Sequence, residues 1–136
     1  STAKRALEYK TGDVVSASLN HKSGLSTQIT AILKTPHYQR ITIWGENGWV
    51  ELVDSSHPDT PGPSFMKIVM NDGSVKEENF EWTDTVSANI NNFVDAITKE
   101  DEYIFKDIEK FQNIAVLEAI YESSLSKKSI DVETFN

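Results

Sequence analysis

Two spacings of apolar residues divide this chain. As far as Phe80 they recur at every second position, and beyond Asp84 at every third or fourth. The first period is that of strands and the second that of helices. Ser1 to Leu7 reads as a short strand. After the turn-like Thr11-Gly12-Asp13, Val14 to Leu19 reads as another, with Val15, Ala17 and Leu19 on one face. His21 to Gly24 makes a turn. Leu25 to Lys34 then sets Leu25, Ile29, Ala31 and Leu33 against Ser26, Gln28, Thr30 and Lys34.

The segment ITIWGENGWVEL, Ile41 to Leu52, reads as a hairpin. Taking Glu46-Asn47-Gly48 as a three-residue turn closed by a glycine of positive φ pairs Trp44 with Val50, Ile43 with Glu51, Thr42 with Leu52 and Ile41 with Val53. Opposed residues share a face and successive pairs alternate. One face then carries Ile41, Ile43, Trp49 and Val53, the other Trp44, Val50 and Leu52. Both are apolar, whereas an antiparallel hairpin commonly keeps one face for water.

Asp54 to Pro63 holds three of the four prolines and reads as a loop, since proline cannot donate to a sheet ladder. Phe65 to Met70 and Val75 to Phe80 form a second hairpin about Asn71-Asp72-Gly73. Asp84 is placed to cap a helix whose Val86, Ile90, Phe93, Val94 and Ile97 lie along one stripe. A longer helix runs from about Lys106 to Ser126. Its Ile108, Phe111, Ile114, Ala115, Leu117, Ile120, Tyr121 and Leu125 wrap past one stripe, which predicts burial on more than one side. Ser129 to Val132 reads as a short closing strand. The pattern predicts an α+β fold of one domain spanning 1–136: a two-layer arrangement in which a mostly antiparallel, open meander carries helices on one face. The other sheet face is left available for oligomerisation.

A length of 136 residues supports that single domain. The net charge of −8, with no clustered Lys and Arg, argues against nucleic acid. No run approaches a membrane span and no signal peptide is recognisable. The absence of cysteine excludes disulfides and a thiol nucleophile, and it suits a reducing, cytoplasmic setting. The chain opens without Met, so Ser1 is read as a possible processing boundary.

The residues themselves supply no reaction. His21, His37 and His57 stand in separate turns or loops, without the spacing by which metal ligands converge. No GxSxG elbow and no G-x-G-x-x-G fingerprint occurs. Glu77-Glu78 and Glu100-Asp101-Glu102 are neighbours in sequence and do not form an acid/base pair. Asp107 complements the positive end of the long helix. His37, Tyr38 and Arg40 cluster at a strand entry where they can touch a polyol or carboxylate, although loop solvation is the simpler explanation. Trp44 and Trp49 can stack a sugar ring or simply pack.

The order of segments resembles a known family. TGDVVSASLNHKSGLSTQITAILKTPHYQRITIWGENGWVEL is similar to a run in the C-terminal domain of the glucose–fructose oxidoreductase/inositol dehydrogenase/MocA family. There a strand ends in Ser-Gly (here Ser23-Gly24), the next leads to a proline (Pro36), and a hairpin follows with glycines placed as Gly45 and Gly48 are. The close, with Phe93, Ile97, Glu118-Ala119-Ile120-Tyr121, Ser123 or Ser124, and Val132, is similar to the family's ending.

The resemblance implies a fragment: the substrate-side and oligomerisation domain of an oxidoreductase acting on a sugar, cyclitol or related hydroxy compound. NAD or NADP would sit in an N-terminal Rossmann domain outside this chain. The family's Glu-Lys-Pro motif and Asp-x-x-x-His pair have no counterpart here, so no catalytic, cofactor or metal residue carries over. The resemblance implies a homo-oligomer through the open sheet face, with Trp44, Val50 and Leu52 at the contact and His37, Tyr38 and Arg40 toward substrate. The alternative from another class is a stand-alone, non-catalytic ligand-binding or oligomerisation module.

Overall fold

A computed structural model describes residues 1–4, 12–99 and 102–135. Among the described residues seven strands and two helices follow in order: β1 Thr2–Lys4, β2 Val14–Asn20, β3 Ser26–Ile32, β4 Gln39–Gly45, β5 Gly48–Asp54, β6 Ser64–Met70, β7 Val75–Phe80, α1 Thr85–Thr98 and α2 Asp107–Ser126. Every strand pairing is antiparallel, and the strands form two open sheets, β1-β2-β3 and β4-β5-β6-β7. The α+β class and the open antiparallel sheets expected from the alternation are what the chain forms. Arg5, Ala6 and Leu7, expected to extend the first strand, lie outside the described residues.

Two compact units carry these elements, Ser1–Thr35 with Ile104–Asn136, and Pro36–Tyr103. In the first, β2 and β3 pair Ala17 with Ile29 and Val15 with Ala31, which gathers the apolar parity onto one face. Helix α2 lies against β1. The residues it buries are small: Ala115, Ala119, Ser123 and Ser124. The first three recur every fourth position, so they form one stripe that lets backbones approach closely. The Ser1 ammonium donates to Ser123 Oγ (3.1 Å), and Ser1 Oγ donates to the Ile120 carbonyl (2.8 Å). Phe111, Ile114, Leu117, Tyr121 and Leu125 remain exposed, so the many-sided burial expected for this helix is not met by the described residues. Ser129 to Val132 forms no strand. An alternation that short needs a neighbour to pair with. Instead the tail brings the Phe135 ring to 5.8 Å from that of Phe111.

In the second unit the register of the β4–β5 hairpin differs from the expected one by a residue. Gly45 pairs with Gly48, Trp44 with Trp49, Ile43 with Val50, Thr42 with Glu51, Ile41 with Leu52 and Arg40 with Val53. The turn is therefore Glu46-Asn47 alone. Gly48 is a strand residue at φ 153°, and a Cβ there would lie 2.1 Å from the Val69 carbonyl oxygen of β6. Its lack of a side chain serves the neighbouring strand rather than the closing of a turn. The two hairpin tips are also laced together. Asn71 Nδ2 donates to the Glu46 carbonyl (2.7 Å) and the Asn71 amide to that of Asn47 (2.9 Å).

Because the period of a strand is two, that one-residue difference transfers side chains between faces. The first face now holds Ile41, Ile43, Val50, Leu52, Met66, Ile68 and Met70, then the polar row of Gln39, Asp54 and Ser64, with Lys76, Glu78 and Phe80 along the β7 edge. The second holds Trp44, Trp49, Val69 and Val75, then Thr42, Glu51, Lys67 and Glu77, then Arg40, Val53, Phe65 and Asn79. Trp44 thus lies opposite to Val50 and Leu52, not beside them.

The glycine geometry yields a test. Gly48→Ala is expected to destabilise by about 1–3 kcal/mol, the scale of a residue forced into sparsely populated backbone space. Gly45→Ala, whose added Cβ would meet only the Gly48 carbonyl oxygen at 3.7 Å, should cost well under half as much. Urea unfolding of the two variants measures the difference. Equal losses would place the constraint in the turn.

Candidate functional site

The second unit's sheet presents the polar groups that sequence reasoning singled out, together with several it did not. His37 lies in the loop before β4 and His57 in the loop after β5; their rings meet edge to face with centroids 5.6 Å apart. The register brings this about. Gln39 pairs with Asp54, so the residues just beyond those two strand ends must converge. Correct pairing, rather than spacing along the chain, was the signal that could have found this pair.

The loop holding His57 is internally braced. The Ser55 amide donates to the Pro63 carbonyl, and His57 and Thr60 exchange backbone hydrogen bonds. His57 Nδ1 lies 2.5 Å from Asp59 Oδ1, and Thr60 Oγ1 donates to the same oxygen. Asp54 accepts from the Ser56 amide and the Ser64 hydroxyl, both at 2.8 Å. Hydrogen bonds from Ser56, then that from Ser64, hold the Asp54 carboxyl below its usual range, and the nearby His37 adds to this. The Asp59 carboxyl is lowered by its hydrogen bonds from His57 and Thr60.

Tyr38 is exposed beside His37. Arg40 belongs to the second face, where its guanidinium stands 3.5 Å from Glu51. Of the three residues expected to touch a polar ligand, His37 and Tyr38 lie in the loop before β4, and Arg40, in β4, pairs across the strands with Glu51.

On that second face Thr42 Oγ1 donates to Glu51 (3.4 Å) and Lys67 pairs with Glu77 at 2.8 Å. A half-open groove of about 350 Å³ runs beside them, its lining including Glu51, Val53, Phe65, Lys67, Glu77 and Asn79. This charged row escaped the sequence reading because the shifted register set Glu51 opposite Ile43. Trp44 is 74% exposed, with Trp49 directly across from it.

These groups can exchange hydrogen bonds or charge with a polar ligand. Among the described residues no cluster of three His, Asp or Glu side chains can hold a metal ion. A dinucleotide pyrophosphate needs a glycine-rich turn opening onto a helix N-terminus. Both helices here begin on carboxylates instead. Asp84 accepts from the Ser87 amide (2.8 Å) and hydroxyl (2.7 Å) at the start of α1. At the start of α2 the Glu109 carboxylate accepts from the Lys106 amide (3.1 Å), with Asp107 alongside. Neither helix opens from such a turn, and a carboxylate already caps each start, so the residues described do not fit that cofactor.

Residues 2–132 match the family described as "Oxidoreductase family, C-terminal alpha/beta domain", the glucose–fructose oxidoreductase/inositol dehydrogenase/MocA group. The chain belongs to this family. Comparison with curated proteins and with solved structures returned no match. The family is one of oxidoreductases, typically dependent on NAD or NADP, and the matched part is its C-terminal domain. No helix among the described residues is long and apolar enough to cross a membrane.

The Asp84 cap gives a pH dependence whose sign follows from its cause. The Ser87 backbone amide, then the Ser87 hydroxyl, lower the Asp84 carboxyl in the folded state. Its stabilisation is therefore full above the unfolded value and lost as pH falls through the folded one. Helical chemical shifts at Ser87 and Ala88 should stay constant from neutrality to about pH 4 and fray below it. Asp84→Ala should weaken them already at neutral pH and remove that acid step.

Proposed function

We propose that this chain is the C-terminal domain of a longer NAD(P)-dependent oxidoreductase acting on a sugar, cyclitol or related hydroxy compound. Its part is to build one wall of the substrate site and a contact with a second copy. The cofactor that supplies hydride chemistry is held by a preceding domain of the same polypeptide. The observation that carries this reading is the family match over residues 2–132. The carboxylate-capped helix starts support it, since they leave the described residues no phosphate cradle.

Within that reading His37 and Tyr38, with His57 across from them, present hydrogen-bonding rings at one end of the sheet. Rings that donate and accept suit a hydroxyl-bearing substrate. The second copy takes the face of Trp44 and Trp49. Exposed tryptophan is the residue type most often found as an interface anchor. The adjoining row carries alternating charge across three strands, Glu51, Lys67 and Glu77. A two-fold contact between such faces can set the ammonium of one copy against carboxylates of the other.

Sedimentation of Trp44→Asp and Leu52→Asp beside the parent chain separates the two faces. The parent is expected to self-associate, Trp44→Asp to sediment as a monomer, and Leu52→Asp to retain the association. The reverse pattern would move the contact to the apolar face, and a monomeric parent would remove it. For the cofactor, NADH fluorescence titrated with this chain should show no saturable change; micromolar saturation would locate a binding site within these residues.

A further inference from the structure

The tips of the two hairpins carry the sequence's one Asn-Gly, Asn47-Gly48 between β4 and β5, and its one Asp-Gly, Asp72-Gly73 between β6 and β7. Such pairs are chemically reactive. Glycine has no side chain to shield its amide nitrogen from the side-chain carbonyl carbon of the residue before it. Closure between those two atoms gives a small cyclic imide.

The structure treats the two sites differently. Asp72 Oδ1 accepts from the Ser74 amide at 2.8 Å. Hydrogen bonds from the Ser74 hydroxyl, then from its amide, hold the Asp72 carboxyl below its usual range, and an ionised carboxylate is a poor electrophile. Asn71, next to it, donates from Nδ2 to the Glu46 carbonyl at 2.7 Å. Asn47 is exposed, and its side-chain amide has no hydrogen-bond partner among the described residues.

We propose that Asn47 is a site of spontaneous covalent modification, where isoaspartate forms and unfastens the two hairpin tips. Hydroxide takes the Gly48 amide proton, and the nitrogen attacks Asn47 Cγ. An N–Cγ bond forms, the Cγ–Nδ2 bond breaks, and ammonia leaves. Water then opens the imide. Addition at Cγ gives aspartate. Addition at the original main-chain carbonyl breaks its bond to the Gly48 nitrogen and leaves the chain running through Cγ. Nothing is oxidised or reduced. Gly45 with Gly48 is the last rung of the β4–β5 ladder, and such ends open at little cost, which frees the nitrogen within the folded chain.

The fold makes the product consequential. Isoaspartate lengthens the main chain by one carbon inside the short turn of Glu46 and Asn47. The carbonyl that accepts from the Asn71 amide leaves the main chain as a free carboxylate, beside the residue whose carbonyl holds Asn71 Nδ2. The staple is lost directly before Gly48, whose close approach to Val69 sets the register. This chemistry does not depend on whether the chain is part of a longer enzyme.

Incubation at mildly alkaline pH tests the site, followed by peptide mapping with fragmentation that separates isoaspartate from aspartate. Asn47 is expected to convert ahead of every other asparagine, at a rate within about tenfold of that in the urea-unfolded chain, because a terminal rung opens readily. Conversion in urea without conversion in the folded chain would overturn the proposal. So would the same acidic product in Asn47→Gln, whose longer side chain closes a larger ring slowly. The converted chain, separated by its added negative charge, reports the consequence. Hydrogen exchange at the Asn71 amide should quicken by about tenfold or more once its bond is lost. Asn47→Asp adds the charge without lengthening the main chain and should leave that amide protected. Protection unchanged on conversion, or lost equally in Asn47→Asp, would refute the unfastening.

Discussion

Everything on the four-stranded sheet depends on one close approach, that of the Gly48 backbone to the Val69 carbonyl. Only a residue without Cβ fits between β5 and β6 at that point. Fixing Gly48 opposite both Gly45 and Met70 sets the alternation of three strands at once. From that alternation follow the apolar field on one side and, on the other, the tryptophan pair with its row of charges. A slip of one residue would exchange the two faces of β4 relative to β5, setting Glu51 opposite Ile43 and Thr42 opposite Leu52. The glycine thus acts less as a hinge than as a key admitting one register.

The two faces then divide the burden of burial differently. One is apolar across three strands and has little to offer water. The other mixes aromatic rings with ion pairs such as Lys67 with Glu77 and Arg40 with Glu51, groups that can be solvated or can meet complementary charge. Membership of an oxidoreductase family gives this asymmetry a context. The chemistry of each surface decides what that surface can contact.

Much of this was legible in the residues. The helix spacing from Val86 to Ile97 and the placing of Asp84 located α1 and its cap, because periodicity and capping are local properties. Strand positions were legible for the same reason. The face to which each side chain of the hairpin belongs was not. It turns on whether Gly48 closes a turn or faces a third strand, and Val69 is 21 positions away in the chain. The meeting of His37 with His57 and the row of Glu51, Lys67 and Glu77 were hidden by the same long-range fact. Long apolar residues on α2 suggested many-sided burial, yet the surface in contact with β1 is its small-residue stripe, which composition alone does not distinguish from filler.

The lacing of the hairpin tips has a consequence for how such a domain can diversify. Asn71 reads the carbonyls of Glu46 and Asn47 directly, so a residue inserted in either turn would pull that staple apart. At the other end of the same strands, the proline-rich loop after Asp54 closes on itself through its own hydrogen bonds. Its tip, about Pro58 and Asp59, lies beyond the β5–β6 ladder, whereas Gly62, where a Cβ would stand 2.6 Å from the Ser55 carbonyl oxygen, cannot take a side chain. Novelty in recognition is therefore channelled to the end bearing His37 and His57, while the tip that keeps the strands in step is held against drift.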